Sequence, residues 1–374
     1  MILNKNNIFF LPILKFFLSF LFIFSIVSCS KSPIRVVNPP VQKPVDSTFE
    51  NGIFVVNEGG YLHGNASITF INSKGTVDQN LYSSENNGRS LGDVAESMQA
   101  FKDSGFIIVN NSDKIVIVSL KNFNSVKTIN DGNSPRFMAI IDSTKAYVTN
   151  MQDDISVINL STLEIEKSIH TGTWTESLIK YNNYMFVTSI GLMRAATDNR
   201  DANILVINVK SDQIVDSIKT GKEPVSMVID KKDKIWVLCT GGYDHYELAT
   251  LVRIDPTLMI VDKTFSFPNI NDSPSRLCIN ALKDTLYFLN DGIYQMPVSM
   301  TSLPSSPFIP ANGHNYYGLG IHPVSGNIFV TDAKDYSQEG TIYQYNQISG
   351  SLIKTYPAGI IPGYFCFISG SGKK

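Results

Sequence analysis

Two kinds of side chain in this sequence could do chemistry at a shared site. One is a charged set, Glu96, Arg136, Glu176 and Arg276. The other is an aromatic and imidazole set: Tyr61, His63, Trp174, Tyr243, His245, Tyr246, His314, Tyr316, Tyr317, Tyr336 and Tyr364. Flat rings stack on large organic molecules at little entropic cost, and a few charged groups orient the ligand's polar edge. The pattern points to binding of a bulky, partly polar molecule. For any single tyrosine, covering the edge of a sheet is the competing reading.

Other chemistries find little support. A hydrolytic nucleophile would need an activating elbow such as G-x-S-x-G, and none is present. The histidines have no close ligand spacing, and Asp198-Asn199-Arg200-Asp201 lacks the glycine turn and final glutamate of a calcium loop. The two tryptophans, Trp174 and Trp236, are too few for tryptophan-rich quinone-binding blades, and Trp236 sits mid-strand as a core residue. No metal or cofactor is expected. Cys239, Cys278 and Cys366 lie in apolar runs, odd in number, and read as buried free thiols, with a Cys239–Cys278 bridge as the alternative. The 374 residues carry 43% hydrophobic and 17% charged side chains and a net charge of −2. With no Lys/Arg cluster, nucleic acid is excluded as a partner.

The elements that would position these residues are short strands. In residues 134–170, four of them alternate with turns: an apolar run from Ser134, Ala146–Thr149, Ile155–Leu160 and Ile165–Ile169. The apolar residue midway along the first strand recurs as Met98, Met138, Leu178, Met227, Leu277, Leu319 and Phe365, at spacings of 40, 40, 49, 50, 42 and 46. Four strands per 40 to 50 residues is the size of one propeller blade. The run IFVVN at 53–57 is a second strand with no first strand before it, and 362–368 is a first strand with nothing after it. The chain is therefore expected to be all-β, a seven-bladed β-propeller whose last blade is shared between the two termini, which leaves no open sheet edge. In that register Glu96, Arg136, Glu176 and Arg276 start first strands around the pore mouth, and the aromatic set shares the face that carries the longer insertions, 189–202, 240–249 and 332–340.

The first residues read as an address. Lys5 gives a basic start, Phe16 to Val27 is an uncharged stretch of twelve, apolar but for Ser19 and Ser25, and Ile26-Val27-Ser28-Cys29 resembles a bacterial lipobox. Residues 1–28 are expected to be a signal peptide, Cys29 the lipidated N-terminus, and 29–49, rich in proline, a tether to the domain at 50–370. Loss of 1–28 leaves 29 basic against 33 acidic residues, −4. No acidic sorting signal follows Cys29, so the periplasmic and cell-surface faces both stay open.

Tyr147-Val148-Thr149-Asn150 followed by Ile155 to Thr162, and its echo from Asp201 to Pro224, resemble the YVTN repeat of YncE-like β-propellers. Gly52 to Gly59 with Gly64-Asn65-Ala66-Ser67-Ile68 resembles the propeller lipoproteins of Bacteroidota outer membranes, among them the cobalamin-capturing (BtuG-type) family. That resemblance implies a non-catalytic, lipid-anchored outer-membrane protein. Its ligand would be an organic molecule such as cobalamin, and its partner a TonB-dependent receptor. The alternatives are a periplasmic or surface hydrolase or oxidoreductase, and a glycan- or protein-binding propeller, because the fold hosts all of these.

Overall fold

The computed structural model describes Phe49 and residues 51–191, 200–242 and 245–368, all within the unit Asp46–Lys374. Seven four-stranded antiparallel sheets follow one another as the blades of a β-propeller. Six are consecutive in sequence, with inner strands Ala95–Phe101, Pro135–Ile140, Thr175–Tyr181, Pro224–Ile229, Ser275–Ile279 and Tyr316–Ile321. The seventh joins the two ends of the chain. Its inner strand, Pro362–Ile368, pairs antiparallel with Gly52–Asn57, which continues to Ser67–Asn72 and Val77–Asp78.

Blade-to-blade packing explains the apolar second strands. Each middle strand is covered on both faces, so Ile235–Cys239 and Ile328–Asp332 are buried throughout rather than alternating. Seven apolar clusters result, one between each neighbouring pair of blades. Phe54, Val109 and Val116 belong to the cluster that joins the closing blade to the first, and Val55, Phe329 and Phe365 to the one that joins it to the sixth. Phe49 anchors the N-terminal end of the ring, edge-on to Phe70 with ring centroids 4.9 Å apart. Trp236 is fully buried and donates its Nε1–H to Asp230 at 2.8 Å, a core residue as the sequence implied. Cys239, Cys278 and Cys366 are free thiols; burial pushes Cys239 and Cys366 up to about 11 and Cys278 to about 12, which leaves them protonated and inert.

One irregularity repeats around the ring. In all seven inner strands the pairing register slips across the second residue, which has no ladder partner. Such a bulge re-aims a side chain. The threonine of the second-strand motif supports it: Thr149, Thr188 and Thr331 accept hydrogen bonds from the N–H groups of Phe137, Ser177 and Gly318 within the bulges. Thr149 also donates to the carbonyl of Glu176 in the next blade, at 2.7 Å. The repeated V-T pair is thus a device for fixing the bulge.

Candidate functional site

The unpaired second residues of the inner strands are Glu96, Arg136, Glu176, Val225, Arg276, Tyr317 and Gly363. All seven line one cavity of about 740 Å³ along the propeller axis, together with Glu58. The charged quartet picked out in the sequence is therefore brought together, on one ring.

The ring has a closed half and an open half. Arg136 grips Glu176 with two parallel bonds, Nε to Oε2 at 2.8 Å and Nη2 to Oε1 at 2.6 Å, and gives Nη1 to Glu96 Oε2 at 2.6 Å. Trp174 adds its Nε1–H to Glu176 Oε2 at 2.9 Å, and the Arg136 guanidinium lies 5.7 Å from the Trp174 ring centre and 5.8 Å from that of Phe137. Burial opposes the charge on Arg136, but Glu176 and Glu96 hold it above its usual range. Burial pushes Glu96 up to about 7 despite Arg136 beside it, with Glu58 and Glu176 adding to the rise.

Arg276 is held more loosely. Its Nε donates to the Tyr317 carbonyl at 3.1 Å, its guanidinium sits 5.1 Å from the Tyr317 ring centre, and Nη2 is 4.0 Å from Glu58 Oε1, beyond hydrogen-bond reach. Burial raises Glu58 as well, against the pull of Arg276 and the Tyr317 hydroxyl. Arg276 also has a left-handed backbone, φ +57°. The residue just before the inner strand is left-handed at Val94, Ser134, Glu223 and Ile361, but in this blade that place is taken by Pro274, whose ring fixes φ negative. Here the positive φ is on Arg276 itself, at a cost of about 1–2 kcal/mol.

Other residues singled out in the sequence scatter. Tyr364 lines the cavity with its ring 5.9 Å from Phe137, and burial raises its phenol. Tyr336 stands edge-on to Tyr317 at 5.8 Å, at the outer rim. His314 and Tyr316 do not line the cavity. They are tied into the sixth blade, His314 Nδ1 to Asp332 Oδ2 at 3.0 Å and the Tyr316 hydroxyl to that of Tyr345 at 2.8 Å. His245 and Tyr246 are exposed in a loop away from the ring; Nδ1 of His245 meets the Ile270 carbonyl at 3.2 Å and Tyr246 is 84% exposed. Tyr61 and His63 are exposed. Tyr243 and Cys29 lie outside the described residues. Glu58 was missed by sequence reasoning, and its signal was indirect: Gly363 stands at a ring position where the other blades carry side chains.

A ring of this kind can hold a molecule by stacking and by charged hydrogen bonds. Among the described residues no group of three His, Cys, Asp or Glu side chains gathers to hold a metal.

The same architecture recurs in distant solved structures. A quinoprotein alcohol dehydrogenase-like protein from Bacteroides thetaiotaomicron is 18% identical, with 87% of this chain and 80% of that one aligned at a TM-score of 0.67. The periplasmic gluconolactonase of Pseudomonas aeruginosa is 11% identical over 85% of this chain and 99% of its own, TM-score 0.62. Hydrazine synthase of Kuenenia stuttgartiensis is 14% identical over 74% and 90%, TM-score 0.58. These likenesses show the fold. No curated protein matches the chain. The family described as "Domain of unknown function (DUF5074)" matches residues 51–367, the whole ring of blades, and the chain belongs to that family.

Proposed function

We propose that this propeller is a non-catalytic binding protein whose channel mouth captures a bulky organic ligand with a polar rim. A corrinoid such as cobalamin is the specific candidate, to be passed to a TonB-dependent outer-membrane receptor. The observation that carries the reading is the ring itself: an open Arg276–Glu58 pair in a cavity lined by the half-buried rings of Phe137, Tyr317 and Tyr364, with Trp174 backing the Arg136–Glu176 pair. Corrins are broad, apolar in the middle and edged with amides, and aromatic platforms with a few orienting charges suit that shape. Equilibrium dialysis of the purified protein against cyanocobalamin tests it. One corrinoid bound per chain and recovered unchanged is the expected result; no retention at micromolar concentration, or recovery of a converted product, overturns it.

A catalytic reading has one observation in its favour. Glu96, pushed up to about 7, has the proton affinity of a general acid at neutral pH. Its Oε2 is already engaged by Arg136 at 2.6 Å, which supports a structural role instead.

We also infer that Cys29 anchors the chain to the outer membrane by lipid, with the propeller beyond its proline-rich tether. Cys29→Ser should shift the protein from the membrane to the soluble fraction; unchanged membrane retention overturns this.

A further inference from the structure

Five charged side chains meet at the channel mouth, and three of them satisfy one another. Glu96, Arg136 and Glu176 form a closed set, with every Arg136 nitrogen engaged and Trp174 capping the far carboxylate. The remaining two, Arg276 and Glu58, face the same cavity without a hydrogen bond between them, 4.0 Å apart. Among the described residues, neither Nη of Arg276 has a hydrogen-bond partner; only its Nε is engaged, by the Tyr317 carbonyl. The side chain is 23% exposed, so the free N–H groups point into a partly enclosed space.

A donor and an acceptor side by side, too far apart to bond directly, define a complementary group. It must offer an acceptor to the guanidinium and a donor to the carboxylate, on adjacent atoms. A primary carboxamide does this: its oxygen and nitrogen are about 2.2 Å apart, from the amide bond lengths. Two splayed hydrogen bonds then span the 4.0 Å gap. A carboxylate would satisfy Arg276 but set oxygen against the ionised Glu58 oxygen, and an ester would bring Glu58 no donor beyond the Tyr317 hydroxyl. We propose that Arg276 and Glu58 form a carboxamide-recognition pair that selects amide-bearing ligands over the corresponding acids. The inference deepens the proposed function and rests on it for the site, but not for the identity of the ligand. The left-handed backbone of Arg276 fits this role, since strain persists where function requires it. Gly363 fits it too: it leaves room for the Glu58 carboxylate, which a Cβ there would approach to 2.6 Å.

The test uses small probes that carry the amide and little else. Purified full-length protein is titrated with benzamide and with benzoate, followed by saturation-transfer NMR, in the native protein, Glu58→Gln and Arg276→Lys. Benzamide is expected to bind at millimolar concentration at least about tenfold better than benzoate, the size of one mismatched charged hydrogen bond. Glu58→Gln should narrow or reverse that preference, because benzoate no longer faces a carboxylate. Arg276→Lys, which keeps the charge and loses the rigid planar donor, should weaken benzamide binding. Absence of benzamide binding, equal binding of both probes by the native protein, or a Glu58→Gln variant that weakens both alike overturns the proposal. Cyanocobalamin retention in the absence of benzamide selectivity would overturn this inference alone. Benzamide selectivity in the absence of cyanocobalamin retention would overturn only the choice of ligand.

Discussion

Gly363 and Glu58, from opposite ends of the chain, share one position in the channel ring: a Cβ at 363 would come within 2.6 Å of Glu58 Oε1. Six inner strands supply a side chain to the ring, and the seventh supplies an absence that the neighbouring strand's carboxylate fills. Closing the propeller with both termini therefore completes the channel ring as well as the sheet.

Gly363→Ala tests that relationship. The intruding methyl group meets the end of a flexible side chain, and its next neighbour is Tyr317 Cε1 at 3.2 Å, so the stability cost should be about 1 kcal/mol. Ligand binding at the mouth should fall at least about tenfold, because Glu58 is displaced from Arg276. Chemical denaturation and ligand titration on the same sample separate the two; unaltered binding would show that Glu58 is not part of the site.

Arg276→Gly should separate stability from function in the opposite sense. Glycine adopts φ +57° without the Cβ penalty, so the unfolding free energy from urea titration should hold or rise, by up to about 1 kcal/mol, while ligand binding is lost. A loss of more than about 2 kcal/mol would instead make the stacking of Arg276 on Tyr317 a structural pillar.

Stability should decrease as pH rises from 5 to 8. Burial raises Glu96 from 4.5 to about 7, so between those values the folded chain holds a proton that the unfolded chain has released. The stabilisation is complete below about pH 4.5 and is lost as pH climbs through 7, with a ceiling on the order of 3 kcal/mol. Glu58 and Asp131, the latter raised to about 6, act in the same direction; half-buried His322, whose affinity for protons is lowered, opposes them. Glu96→Gln cannot ionise, so the slope of thermal midpoint against pH should flatten in that variant. An unchanged slope would assign the effect to the other groups.

The fold was legible because each blade repeats the same burial problem. Met98, Met138, Leu178 and their counterparts mark the inner strands, and the unmatched runs at 53–57 and 362–368 revealed the shared blade. The charged quartet was legible as strand starts. What the sequence hid was the pairing among them. Glu58 follows a second strand, not an inner one, and reaches the ring only because residue 363 has no side chain. His314 and Tyr316 belong by position to the same loops as Tyr317, but Asp332, Tyr343 and Tyr345 in their own blade capture them. Loop position shows which face a residue occupies; only the local partners show whether it is free to bind.

The central claim, that the channel mouth is where ligand binds, is tested most directly by calorimetric titration of the full-length protein with cyanocobalamin. The native protein is compared with Trp174→Ala plus Tyr317→Ala at the ring and with Tyr246→Ala on the exposed loop. The account predicts one-to-one binding at micromolar concentration or tighter, abolished by the ring variant and unaltered by the loop variant. No heat from the native protein, or equal binding by the native protein and the ring variant, would contradict it.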